Sequence, residues 1–356
     1  MPGRFFEEFR PGQLLRHPTP RTVHGGDLSL YIALTGDARP LASSTDFAQS
    51  LGFEREVAHD LLVFHLVFGK SVTDVSANAV ANLGYADVRF LAPVYPGDTL
   101  RAESEVIGVR EVSSGKAGVV WVRTRGIDGR GNEVLRFIRW VMVEKRDPAA
   151  PAPEPVVPEV PAEVPASELR APSALNLDRF ADIRWATGGE ALWEDYQVGQ
   201  RIAHPGGMTL DESDHTLATR LYQNNARVHF DARKMAGTRF GRRLVYGGHV
   251  MSVAHALAHR GLENVLTMAA WNGGTHANPT VAGDTLYAWS EVLGRAEVPG
   301  APGLGALRLR LVAVKNVDPM DEEVSLKSGN SYDPRVVLDL DWWGLVPRRE
   351  AAAGRA

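Results

Sequence analysis

The chain has 356 residues, of which 44% are hydrophobic and 23% charged, and a net charge of −4. That length exceeds one ordinary core and predicts two domains, and with no basic excess neither nucleic acid nor an anionic membrane surface is an expected partner. The absence of cysteine excludes disulfides, thiolate metal sites and cysteine nucleophiles.

The first residues, MPGRFFEEFRPGQ, have no apolar run of signal-peptide length, and no stretch approaches about 18 uninterrupted apolar residues, so no membrane span is expected and the cytoplasm is the expected location. Residues 26–35 (GDLSLYIALT) place Leu28, Tyr31, Ile32 and Leu34 at near-helical spacing. Residues 57–69 (VAHDLLVFHLVFG) are apolar on nearly every face, the pattern of a buried helix. Runs rich in β-branched and aromatic residues at 100–109, 118–124 and 134–143 predict strands between Gly/Asp turns. From 146 to 172 prolines recur every two to four residues. Proline removes a backbone donor and fixes φ, so an extended spacer is expected there. The expected division is an N-terminal domain over 1–146, a Pro-rich linker over 147–188 and a C-terminal domain over 189–350. The second half predicts a helix at 211–222, a central helix near 248–260, and strands near 265–277, 284–294, 305–315 and 336–346. Helices followed by an antiparallel strand series give an α+β class with a sheet wrapped on one buried helix. Two such sheets can pair edges and leave none exposed.

The halves repeat one another. Phe5-Phe6-Glu7-Glu8-Phe9-Arg10-Pro11-Gly12-Gln13 matches Leu192-Trp193-Glu194-Asp195-Tyr196-Gln197-Val198-Gly199-Gln200 at an offset of 187, and Gly97-Asp98-Thr99-Leu100 matches Gly283-Asp284-Thr285-Leu286 at an offset of 186. Collinear matches with one net deletion point to duplication.

Within the repeat lie Thr35-Gly36-Asp37-Ala38-Arg39-Pro40-Leu41-Ala42 and Tyr222-Gln223-Asn224-Asn225-Ala226-Arg227-Val228-His229, each upstream of a central helix that opens at Ala58-His59-Asp60 or Val245-Tyr246-Gly247. This pattern resembles the MaoC-like hydratases, whose signature reads roughly T-G-D-x-N-P-hydrophobic-H before a helix opening with H-G. The stretches LLVFHLVFGK, VYPGDTL, RLYQNNARVHF, FGRRLVYGGH and NPTVAGDTLYAWSE are similar to the mesaconyl-CoA hydratase (β-methylmalyl-CoA dehydratase) branch, over about residues 4–348. The resemblance implies a double hotdog of two tandem hotdog domains. It also implies a hydro-lyase acting on an enoyl-CoA thioester, with mesaconyl-CoA (2-methylfumaryl-CoA) as expected substrate and no cofactor beyond CoA itself. Further self-association into a homo-oligomer is an expectation by analogy.

The signature pairs a carboxylate with an imidazole for proton transfer, while a backbone N–H at the start of the buried helix polarises the thioester carbonyl. Neither half is complete. The first keeps Asp37 but has Ala42 at the histidine position and Asp60 at the glycine position, where a carboxylate opposes a developing negative charge. The second keeps His229 and Gly247 but has Asn224 for the acid. The expected catalytic set is therefore His229, Asn224 and Gly247, with the first half a packing partner that helps hold CoA. An amide at 224 avoids repelling the substrate's free carboxylate. Arg227 is the expected partner of that carboxylate, Tyr246 and Gly248 are further candidate substrate contacts, and Arg242 and Arg243 are candidates for the CoA phosphates. His255 and His259 sit four apart on a predicted helix, but without the glutamate of H-E-x-x-H no metal site is expected. No P-loop and no G-x-G-x-x-G after a strand appears, so nucleotide hydrolysis and dinucleotide redox chemistry lack support. The alternatives are a hydratase of crotonyl- or itaconyl-CoA, a hotdog acyl-CoA thioesterase, and a non-catalytic acyl-CoA binding protein, because a fold alone does not settle chemistry.

Overall fold

The computed structural model describes residues 3–353. In chain order the strands are β1 (Leu14–Arg16), β2 (Arg21–Thr22), β3 (Ala79–Phe90), β4 (Thr99–Glu111), β5 (Ala117–Ile127) and β6 (Glu133–Glu144), then β7 (Arg201–Thr209), β8 (Thr267–Thr275), β9 (Thr285–Glu297), β10 (Leu304–Lys315), β11 (Lys327–Ser328), β12 (Ser331–Tyr332) and β13 (Val336–Pro347). One 11-stranded sheet runs β1-β4-β5-β6-β3-β8-β13-β10-β9-β7, with β2 on β4. The order reads the same from either end: each first-half strand has its repeat counterpart at the mirrored place. The seam is antiparallel between β3 and β8, with Tyr85 opposite Gly274 and Val88 opposite Trp271. Pairing these two edges leaves neither open to a foreign strand. This is the expected α+β double hotdog.

Each half wraps its sheet on one helix. The first, Asp60–Ser71, buries every residue from Leu61 to Ser71, and the second, Gly247–Leu257, buries Gly248 through Ala256. Both contribute to a single apolar core with Trp271 and Trp342. The helices meet where His65 Nε2 lies 2.9 Å from Ser252 Oγ. These two residues are repeat equivalents, so a pseudo-twofold axis passes between them.

The proline-rich segment is extended, as its composition requires, but it is no free spacer. Val156 exchanges backbone hydrogen bonds with Val109 (2.8 and 2.9 Å), and Val164 N–H donates to Asn272 Oδ1 (2.8 Å). Val164 and Leu169 are buried with Trp343 and Leu345, on the face opposite Trp342. Apolar residues between the prolines thus dock the connection onto the joined sheet.

Candidate active site

A cavity of about 320 Å³ lies between the halves. One wall is the loop 222–229. Its tight turn places Gln223 at φ +56, as Gly36 stands at φ +74 at the repeat position. Asn224 is buried, and its Oδ1 accepts from Ala226 N–H (3.0 Å), which fixes the entry to the short helix Arg227–Phe230. That helix presents His229, whose Nδ1 lies 3.0 Å from the Leu244 carbonyl oxygen. A carbonyl oxygen only accepts, so Nδ1 carries the proton and the neutral ring keeps its lone pair on Nε2. Burial pushes the His229 pKa down to about 4, which leaves the ring neutral at physiological pH.

The second wall is the start of helix Gly247–Leu257. A first-turn N–H has no acceptor within its own helix, and Gly247, which lines the cavity, is the first residue of that turn. A Cβ at 247 would fall 2.6 Å from His276 Nδ1, so glycine is what lets this imidazole pack against the helix end. Burial brings the His276 pKa down to about 4, and its Nε2 lies 3.3 Å from the Tyr85 hydroxyl on β3. His276 follows β8, outside the signature loop and helix, and its repeat counterpart is Phe90; no pattern in the sequence marked it.

The first half supplies the rest: Phe68 and Val72 from the end of its central helix, Tyr85 from β3 and Arg139 from β6. Its part goes beyond packing and help in holding CoA, because its side chains line the cavity that holds His229. The structure thus brings His229, Asn224, Gly247 and Tyr246 together. The Tyr246 ring stands edge-on to His229 at 5.5 Å, and its hydroxyl is reached by the Asn224 side chain. Gly248 is buried behind Tyr246 and His65.

None of the three candidate arginines lines this cavity. Arg227 is exposed and off the cavity wall, so the structure does not place its side chain beside His229 as the carboxylate contact would need. It follows the Asn224 turn on the outer side of the short helix. Arg243 is engaged by Glu212 and by Thr216 Oγ1 (3.2 Å). Arg242 is exposed and donates to the Ala282 carbonyl (2.9 Å).

At the pseudo-equivalent place in the first half the polar groups pair among themselves. Asp37 is 1% exposed and is bound by Arg39 (2.5 Å). Arg39 also donates to the His255 carbonyl (2.7 Å) and lies 2.7 Å from His255 Nδ1. His59 Nε2 donates to the Asp37 carbonyl (2.8 Å). Burial alone would raise the Asp37 pKa, but Arg39, His59 and His255 hold it well below the carboxylate range. Asp60 turns to Met268 N–H (2.8 Å) and Thr267 Oγ1 (3.0 Å), with its pKa raised by burial to about 6. What remains there is about 40 Å³. With His255 committed to Arg39, the His255–His259 pair presents no joint ligand face. Among the described residues no cluster of three or more His, Asp or Glu forms a metal cradle, and no helix is long and apolar enough to cross a membrane.

Residues 2–324 match the mesaconyl-CoA hydratase family. The chain is 53% identical to the β-methylmalyl-CoA dehydratase of Chloroflexus aurantiacus, covering 98% of each. It is 54% identical to the mesaconyl-CoA hydratase of Cereibacter sphaeroides, over 97% of this chain and 98% of that one. A crystal structure of a putative MaoC domain protein dehydratase from Chloroflexus aurantiacus superposes with a TM-score of 0.92 at 52% identity, covering 98% of both chains. With these matches spanning nearly its whole length and both repeats, the chain belongs to the mesaconyl-CoA hydratase family.

Proposed function

We propose that the chain catalyses reversible addition of water across the C=C bond of mesaconyl-CoA, giving β-methylmalyl-CoA, in the cavity around His229. The observation that carries this reading is a neutral imidazole, fixed by the Leu244 carbonyl with its Nε2 lone pair free, in the same cavity as the Gly247 helix end. Family membership supports it.

The thioester oxygen accepts from Gly247 N–H, where the helix dipole also favours negative charge. That polarisation makes C3 of the enoyl group electrophilic. His229 Nε2 takes a proton from water as the water oxygen bonds to C3, and the C=C pair moves to form the enolate. The enolate then collapses and takes a proton at C2 from the His229 imidazolium. One base serves both transfers and returns neutral, and its low pKa makes the imidazolium a willing donor. Burial pushes the Tyr85 pKa up from its ordinary value, so its hydroxyl stays protonated. When that hydroxyl donates to His276 Nε2, the His276 proton rests on Nδ1, beside Gly247, as a second donor to the enolate oxygen. Asn224 holds the loop and adds no charge. The proposed chemistry uses no cofactor, and its proposed place is the cytoplasm, beside other acyl-CoA chemistry.

Incubation with β-methylmalyl-CoA tests the reading. Growth of enoyl-thioester absorbance without free thiol is the expected result. Release of CoA thiol would show a thioesterase instead, and neither signal would leave only binding.

A further inference from the structure

Arg139 is fully buried and lines the cavity, yet it forms no ion pair with any described residue. Its Nη atoms reach Ser71 Oγ (2.8 Å) and Ser76 Oγ (3.3 Å), its plane lies 4.4 Å over the Phe68 ring, and its Nε has no partner. Two neutral hydroxyls use part of its donor set and none of its charge. A guanidinium out of water is expensive unless an anion accompanies it. Burial lowers its pKa only to about 10, so it remains a cation at neutral pH.

The fold does not ask for this cation. On β6 Arg139 pairs with Val122 and with Tyr85. On β13 the repeat counterparts Leu309 and Trp271 both pair with Trp342, so Trp342 holds the equivalent position. Trp342 packs on His255 at 5.2 Å as Arg139 packs on Phe68, and His255 is the counterpart of Phe68. An apolar ring therefore satisfies the same slot in the other half.

We propose that Arg139 is the anchor for the free carboxylate of the substrate and thereby restricts the enzyme to enoyl-CoA thioesters that carry a second acid group. The direction of binding rests on the proposed hydration. Tyr85, the register partner of Arg139, contacts His276, which abuts Gly247; this chain of contacts links the cation, on the wall of the same cavity, to the amide that takes the thioester. In mesaconyl-CoA the carboxylate is attached to C3, the carbon water attacks. A planar guanidinium fork matches that carboxylate and cancels a charge that would repel the incoming oxygen.

The test compares wild type with Arg139→Met and Arg139→Gln. Calorimetry gives Kd for succinyl-CoA and butyryl-CoA, which differ by the terminal acid. Kinetics give kcat/KM for mesaconyl-CoA and crotonyl-CoA, and a melt reports folding. Wild type is expected to prefer succinyl-CoA, and Arg139→Met to lose that preference. In that variant mesaconyl-CoA turnover is expected to fall roughly 100- to 1,000-fold, crotonyl-CoA turnover to be held or to rise, and the melting temperature to be unchanged or higher. Arg139→Gln, which keeps a donor for Ser71, is expected to show the same split and decides the matter if the methionine variant does not fold. An unchanged succinyl-to-butyryl ratio, or equal losses on both enoyl thioesters, overturns the anchor. A wild type that prefers succinyl-CoA through Arg139 but does not hydrate mesaconyl-CoA keeps the anchor and removes the hydration reading.

Discussion

The two pseudo-equivalent sites are built on one backbone plan and treat charge in opposite ways. In the first, Asp37, Arg39, His59 and His255 pair with one another and close the space to about 40 Å³. In the second, about 320 Å³ of cavity is lined by His229, whose Nε2 is free, by the Gly247 helix end, and by Arg139, which has two serine hydroxyls but no ion-pair partner among the described residues. Paired polar groups hold a fold together; unpaired ones are held ready for a ligand. Duplication thus lets one copy serve as a clamp while the other bears the cost of unsatisfied groups.

The sharpest way to break this comparison is to remove the proposed base. His229→Ala is expected to lower kcat/KM roughly 10²- to 10⁴-fold with little change in melting temperature. Adding Ala42→His to that variant is expected to restore nothing, because the first site is filled by the Arg39 network. Recovery of turnover in the double variant would show that the two sites are interchangeable.

The clamp makes the opposite prediction. Arg39→Ala leaves the Asp37 carboxylate buried beside neutral histidines, and losing one partner of a buried pair costs about 3–5 kcal/mol. Denaturant unfolding should show that loss, while kcat of the protein that remains folded stays near wild type. A stable variant with collapsed kcat would mean the first site does chemistry.

Gly247→Ala probes how the sites diverged at the helix start. The added methyl meets His276 Nδ1 at 2.6 Å, so either the imidazole or the amide must shift. Loss of one pre-set donor typically costs about 10²-fold in kcat, with KM moved less. The first half accepts Asp60 at this position only because that side chain turns to β8. Asp60→Gly should therefore destabilise by about 1–3 kcal/mol and create no activity.

Much of this contrast was legible in the sequence, because helix periodicity, the repeat and the signature loops are local patterns. The central helices, the paired sheets, and the placing of His229 with Gly247 follow from them. The strand β3 was missed: AVANLGYADVRF has few β-branched residues, its Gly84 makes room for Trp140, and Asp87 sits at φ +47 among register shifts. Its pairing with β8 supplies what local propensity does not. Arg139 lies in a run whose sequence predicts only a strand, and only the fold shows that it is buried, lining a cavity with a loop 85 residues further on. The expectation for Arg227 failed for the converse reason. Two residues from His229 on one short helix, it stands on roughly the opposite face, on the solvent side.

The mildest change restores the carboxylate that the second site lacks. Asn224→Asp puts an acid into the wall shared with His229, with Tyr246 touching both. A nearby carboxylate favours the imidazolium, so it raises the His229 pKa from about 4 toward or past its ordinary value. His229, the proposed base, is neutral above about pH 4, and the acid limb in kcat/KM should lie near that value. In the variant the limb should move up by about one unit or more, and activity should decline as pH falls below about 6. Crotonyl-CoA turnover at pH 8 should change little. Mesaconyl-CoA, whose own carboxylate now meets a second anion, should turn over about 10-fold more slowly at every pH. If the variant hydrates mesaconyl-CoA faster than wild type, charge repulsion is not why this half carries an amide, and the substrate's acid group must lie away from Asn224.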